Sequence, residues 1–141
     1  MFLLDTNVLS EERKRSKADQ GVVAFIDKTE NQLFLPVQVI GEVRRGIEAL
    51  RQRGDFAQAA NLESWFRRTM SVYAERILVF DAECAEIWGR LLGPSDQNPV
   101  DKQIAAIALR YDLTVITRNV DHFSGTGVRL LNPFLADQPS T

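Results

Sequence analysis

Three acidic residues stand where apolar runs turn polar. Asp5 follows Phe2-Leu3-Leu4, Glu42 lies beside an apolar helix stripe, and Asp101 falls in the first turn after Asn98-Pro99. Each has an ordinary local reading. Asp5 can cap the helix that follows it, and Glu42 can be a solvated helix acid. Asp101 can be favoured by a helix dipole, worth about 0.3–1 kcal/mol. What sets them apart is direction. In open α/β sheets, ligands sit beyond the carboxyl ends of the strands, so Asp5 points into that crevice. Asp101 shares one side of its helix with Ile104, Ala105 and Ala108, heading a buried stripe instead of facing water. Carboxylates that converge without partners repel and raise one another's pKa values. A divalent cation resolves this. Mg²⁺ takes oxygen ligands, often one or two carboxylates together with substrate phosphates. With a single histidine, His122, and a single cysteine, Cys84, the chain points to Mg²⁺ or Mn²⁺ over Zn²⁺.

The elements that must position these acids are legible as a β–α alternation. Phe2 to Leu4, Leu33 to Leu35, Ile77 to Phe80, Leu113 to Ile116 and Val128 to Leu131 read as short buried strands. Between them, Val22 to Ile26 reads as a short helix. Ile40, Val43, Ile47 and Leu50 recur at steps of three, four and three, an amphipathic helix. Phe56 to Met70 continues as helix, with Trp65 and Phe66 as core or subunit contact. Asp81 caps the helix carrying Cys84, and Asn98 and Pro99 open the one carrying Asp101. The segment Val8 to Ser16 reads as a solvated loop or helix end. Small residues (Ala105, Ala106 and Ala108) let the Asp101 helix sit close to the sheet. The fold class expected is α/β: one domain over residues 1–135, a mostly parallel central sheet of about five strands flanked by helices, and a frayed tail over 136–141.

Composition sets the outer limits. A chain of 141 residues holds one domain and a real core. The lone Cys84 excludes an intrachain disulfide, and the lone His122 leaves a Ser-His-Asp triad no spare candidates. No stretch approaches the ~20 apolar residues of a membrane span. Phe2 to Leu4 is too short for a signal-peptide core, so a soluble, cytoplasmic protein is expected. With a formal charge of −2, nucleic acid would be held by local patches and not by bulk attraction. Arg13, Lys14 and Arg15, and Arg44 and Arg45, are the candidates for backbone contacts.

Four stretches, taken together, carry a family likeness. Met1-Phe2-Leu3-Leu4-Asp5-Thr6-Asn7-Val8-Leu9-Ser10, Gly41-Glu42-Val43-Arg44-Arg45-Gly46, Pro99-Val100-Asp101-Lys102-Gln103-Ile104-Ala105-Ala106 and Thr117-Arg118-Asn119 resemble the PIN-domain family, and within it the small prokaryotic toxins of the VapC and FitB kind. The resemblance spans almost the whole chain. It implies a Mg²⁺- or Mn²⁺-dependent endoribonuclease, restrained by a cognate VapB-like antitoxin, homodimeric, and touching operator DNA only through that antitoxin. It puts Asp5, Glu42 and Asp101 on the metal-binding acids. Thr6, Asn7 and Thr117 fall on supporting polar positions. The family's fourth acid falls on Asn119, a departure that leaves about three negative charges, with Asp121 two residues further on. Two other readings compete. Phosphatases with an aspartyl nucleophile also open on a strand and an Asp, but they need a second Asp two residues on, where this chain has Asn7. A decayed nuclease domain that binds RNA or a protein without cutting is favoured by Asn119 and opposed by the three retained acids.

Overall fold

The computed structural model describes residues 1–139. Five strands form one parallel sheet in the order β3-β2-β1-β4-β5: β1 (Phe2–Leu4), β2 (Leu33–Pro36), β3 (Ile77–Leu78), β4 (Thr114–Ile116) and β5 (Leu130–Leu131). The helices are α1 (Thr6–Glu12), α2 (Gln20–Thr29), α3 (Val37–Gln52), α4 (Phe56–Val72), α5 (Ala82–Leu92) and α6 (Pro99–Tyr111).

Successive side chains of a strand point to opposite faces, and the two cores follow from that alternation. Leu4 and Ile116 pack with Val8, Val22, Val39, Val43, Ile47 and Phe66 under α1 to α4. Leu3 and Val115 pack with Cys84, Ile104, Ala105 and Ala108 under α5 and α6. Both faces of the sheet are therefore covered, which is why β1 and β4 are apolar throughout. Connections from β1 to β2 and β3 run to one side, and the connection from β3 to β4 crosses back past β1. The order reverses between β1 and β4, and there the carboxyl ends of two strands part to leave a crevice. Ala105, Ala106 and Ala108 are buried, so α6 lies close on the sheet, as their size predicts.

Three expectations need correcting. Of the two readings of Val8 to Ser16, the helix end holds and the loop does not, and the segment's first residues are not solvated. Asp5 caps α1, and Val8 and Leu9 are buried in the first core, so the segment is helical through Glu12 before a 3-10 turn at Arg15–Lys17. The third and fifth strands are shorter than their apolar runs, because only Ile77–Leu78 and Leu130–Leu131 find ladder partners at the sheet edges. The tail does not fray from Ala136. Leu135–Asp137 forms a 3-10 turn whose Leu135 and Ala136 N–H groups donate to Asp19, while Asp137 takes the Arg118 guanidinium. Residues 140 and 141 lie outside the described residues.

Candidate active site

Asp5 leaves β1 at the reversal point, and its two oxygens do different work. Oδ1 accepts the Thr6 N–H at 2.8 Å, capping α1. Oδ2 accepts the Thr117 hydroxyl at 2.8 Å and the Asn7 side-chain N–H at 3.4 Å. The backbone joins in: Asp5 N donates to Ile116 O at 3.0 Å, extending the β1–β4 ladder by one residue. Thr117 is wholly buried at the end of β4. Its hydroxyl gives its proton to Asp5 and accepts from Asn7 Nδ2 (3.3 Å) and Asn119 N (3.0 Å), using one donor and two lone pairs. Asn7 Oδ1 accepts the Arg118 N–H at 3.1 Å. One network thus clamps the ends of β1 and β4 together around the Asp5 carboxylate.

The other two acids arrive on helices. Glu42, on α3, is exposed, and its Oε1 accepts the Thr6 hydroxyl at 2.7 Å. Asp101, in the first turn of α6, is half-buried, and His122 Nδ1 lies 3.0 Å from its Oδ2. Burial pushes the Asp5 carboxyl up to about 6. The hydrogen bonds from Thr117 and Thr6 pull it back, and the charges of Asp101 and Glu42 push it further up. Asp101 is also raised, again by burial, with His122 opposing. Neither Asp5 nor Glu42 has a cationic side chain at ion-pair distance among the described residues.

The donor set suits a hard divalent cation. It is all carboxylate oxygen, it is short of positive charge, and its buried member is rigidly held. As the side chains stand, no three His, Cys, Asp or Glu among the described residues are close enough to enclose an ion. Asp5 is fixed, and Glu42, exposed at the end of a flexible stem, is the member able to swing.

Not every residue singled out in the sequence comes to this place. Asn119 is exposed and joins through its backbone N–H, while Asp121 is exposed on the following 3-10 turn, Val120–Phe123. Arg45 is exposed one turn beyond Glu42 on α3. Arg44 turns instead to α4, where its guanidinium grips both oxygens of Glu63 at 2.7 and 2.8 Å. Arg13 and Arg15 lie at the opposite end of the sheet. They line a cavity of about 440 Å³ with Leu33 at the start of β2, Trp65 of α4 and Arg76 just before β3. Lys14 is paired with Glu11. Contact with a phosphate beside Asp5 is therefore closed to Arg13 and Arg15, because α1 carries them away from the crevice.

Sequence reasoning missed two participants. His122 contacts Asp101 across 21 positions, with β4 between them, and no spacing rule joins them. Gln38 stands one turn before Glu42 and donates to Gln103 Oε1 at 3.2 Å, tying α3 to α6, while its own buried Oε1 has no partner. The step of four from Gln38 to Glu42 was the available signal.

A doubly wound α/β domain with Asp5 at the point where its strand order reverses, and Glu42 and Asp101 near enough to act on its charge, defines a class of acid-lined folds. Within that class the chain belongs to the PIN-domain family, whose model matches residues 2–127. It is similar to the plasmid stability protein StbB of Pseudomonas syringae pv. tomato, 34% identical over 96% of this chain and 100% of the relative. Toxin FitB of Neisseria gonorrhoeae is 31% identical over 95% of this chain and 99% of its own length. The VapC ribonuclease Y4jK of Sinorhizobium fredii is 29% identical over 95% and 98%. Among solved structures, FitAcB from Neisseria gonorrhoeae superposes with a TM-score of 0.82 at 30% identity, covering 96% of this chain and 99% of that one. FitAB bound to an IR36 DNA fragment gives 0.80 at 28%, covering 99% and 100%.

Proposed function

We propose that the chain is the toxin of a toxin–antitoxin pair and a Mg²⁺- or Mn²⁺-dependent endoribonuclease. The observation that carries this reading is Asp5: a buried carboxylate at the reversal point, raised to about 6 by burial with Asp101 and Glu42 adding to it, and with no cationic side chain at ion-pair distance among the described residues. When bound there, a divalent cation supplies Lewis acidity toward water and the scissile phosphate. Asp5 and Asp101 would hold it, and Glu42 would hold it directly or through water, or position the nucleophile. Thr117, Asn7 and Thr6 keep the Asp5 oxygens aimed. Hydrolysis by water leaves a 5′-phosphate and a 3′-hydroxyl, without using the RNA 2′-hydroxyl as nucleophile. The toxin and ribonuclease names of the FitB and VapC relatives support this reading.

The partner is a VapB-like antitoxin, with operator DNA reached through it, as the FitAB–DNA complex suggests. The apolar helices around Leu50 to Met70 supply the wall against which such a protein docks. Of these residues, Trp65 and Thr69 line the cavity with Arg13 and Arg15, while Leu50, Leu62 and Met70 pack on the core. The chain acts as a homodimer in the cytoplasm. No helix among the described residues is long and apolar enough to cross a membrane.

The test is cleavage of RNA by the purified, antitoxin-free chain with Mg²⁺, Mn²⁺ or EDTA, beside an Asp5→Ala control. Metal-dependent cutting that vanishes in the variant is expected. No cutting together with no Mn²⁺ binding by calorimetry would overturn the nuclease reading in favour of a domain that binds without cutting, the role that a neutral, exposed Asn119 suits.

A further inference from the structure

The loop that follows β4 reaches both the buried Asp5 and the half-buried Asp101. At its start, Thr117 donates to Asp5 at 2.8 Å. Five residues later, His122 Nδ1 meets Asp101 Oδ2 at 3.0 Å. The loop between them is anchored at both ends, because Thr117 is buried at 0% exposure and Phe123 at 1%, the latter in the core under α6. The His122 N–H donates to Asn119 O at 3.0 Å, closing the 3-10 turn. The ring is therefore held by the fold and not by its own burial, since the His122 side chain is 47% exposed. Asp101 has no other side-chain hydrogen bond among the described residues, so its rotamer rests on this one contact. Asn119, standing on the same loop, contributes only its backbone.

We propose that His122 is a positioning residue of the acidic site: its Nδ1–H fixes the Asp101 carboxylate through Oδ2, leaving Oδ1 without a hydrogen-bond partner among the described residues and able to take a cation. A carboxylate can only accept, so the Nδ1–H tautomer is the one that makes this bond. Partners that orient a metal-binding carboxylate are commonly worth about 10–100-fold in metal affinity. The inference rests on the reading of Asp101 as a ligand, and the test separates the two.

Full-length protein, as wild type and as His122→Ala, His122→Asn and Asp101→Asn, is titrated with Mn²⁺ by calorimetry at one fixed pH. Metal-free melting temperatures are taken alongside. The asparagine amide nitrogen lies at the same bond distance from the backbone as Nδ1, so it can make the same bond without an imidazole. His122→Ala is expected to weaken Mn²⁺ about 10–100-fold with its melting temperature little changed, His122→Asn to recover most of the loss, and Asp101→Asn to bind weakest. Three results overturn the proposal. If His122→Ala binds as wild type while Asp101→Asn does not, the contact is idle. If His122→Asn is as weak as His122→Ala, the imidazole acts through more than Nδ1, as a ligand would. If Asp101→Asn itself binds as wild type, the site reading falls and the positioning role falls with it.

Discussion

At the scale of single residues, Asp5 joins two tasks that in a bare sequence look like rivals. Oδ1 caps α1, as an Asp after a strand commonly does, and Oδ2 faces the crevice. Both readings were legible, but their coexistence was not, because it depends on Thr117, which is brought in from 112 positions away. The cost of holding the carboxylate there is testable. Its pKa is about 6 folded against 3.8 for the free side chain, so between those values the folded state binds more protons than the unfolded. Stability of the metal-free chain therefore falls as pH rises through that window, by ~3 kcal/mol in all, and stays lower above it. Asp5→Asn removes the charge; with one oxygen it keeps the Thr117 hydroxyl and gives up the Thr6 N–H cap, a loss of about 1 kcal/mol that is smaller than the ~3 kcal/mol regained. It should raise the urea midpoint of the metal-free protein near neutral pH and flatten the pH dependence, while abolishing Mn²⁺ binding and cleavage. A lowered midpoint would mean that the charged form is better accommodated than its burial implies. Asn119 is the converse case. Its side chain is exposed and its N–H lies one hydroxyl away from Asp5, so Asn119→Asp adds a fourth carboxylate at the rim. Calorimetry should show tighter Mn²⁺ binding; equal or weaker binding would sink the idea.

Elements sort the arginines, and that sorting was mostly hidden from the sequence. The stripe of α3 gave its buried side in part: Val43 and Ile47 are inside, Ile40 and Leu50 are only partly covered, and Val39, outside the stripe, is buried with them. It said nothing of which basic residue was already engaged. Arg44 is taken by Glu63, whose carboxyl two arginines, Arg44 first, hold down to about 2 against its own partial burial, so this pair stays ionised through any ordinary pH. Glu63 lies 19 positions on, in a helix that packs beside α3, and only the pairing of α3 with α4 brings them together. Closeness in sequence alone would put Arg13 and Arg15 near Asp5. Yet seven helical residues carry the chain about 10 Å toward the other end of the sheet. Arg45 is left as the exposed guanidinium one turn from Glu42. In an Asp5→Asn background that cannot cut, Arg45→Ala should weaken RNA binding and reduce its salt dependence by about one phosphate contact. Arg13→Ala should leave RNA affinity unchanged, and Arg44→Ala should act first on thermal stability. Equal losses of RNA affinity in all three would show that RNA wraps the molecule instead of entering at the crevice.

For the whole molecule, what the sequence could not announce is that its last described segment closes the architecture. Residues from Ala136 on read as a tail, since no apolar periodicity marks them. The order of Leu135–Asp137 comes from long-range polar contacts. Asp19, reached through the Glu11 side chain, caps α2 through Gly21 and Val22 and also takes the Leu135 and Ala136 N–H groups. Arg118 reaches Asp137 at 2.8 and 2.9 Å and lies over the Phe134 ring at 4.3 Å. The same Arg118 gives its backbone N–H to Asn7 in the acidic network. The chain end is thus coupled to the site through one residue. Gly21 is the position where this can be broken cleanly. A Cβ there would meet Pro133 O at 2.3 Å and Leu135 N at 2.9 Å, both backbone atoms that cannot rotate aside. In Gly21→Ala the helix and its Asp19 cap can persist, and alanine favours the helix itself by up to about 1 kcal/mol. The 133–136 segment must lift instead, at a cost of about 1–3 kcal/mol. The variant should melt lower despite its better helix former, become sensitive to protease after Asn132, and lose cleavage rate more than Mn²⁺ affinity, because Arg118 is loosened while Asp5 keeps Thr117. A melting temperature equal to or above wild type would show that the segment is not docked on α2 in solution, and would remove its link to the site.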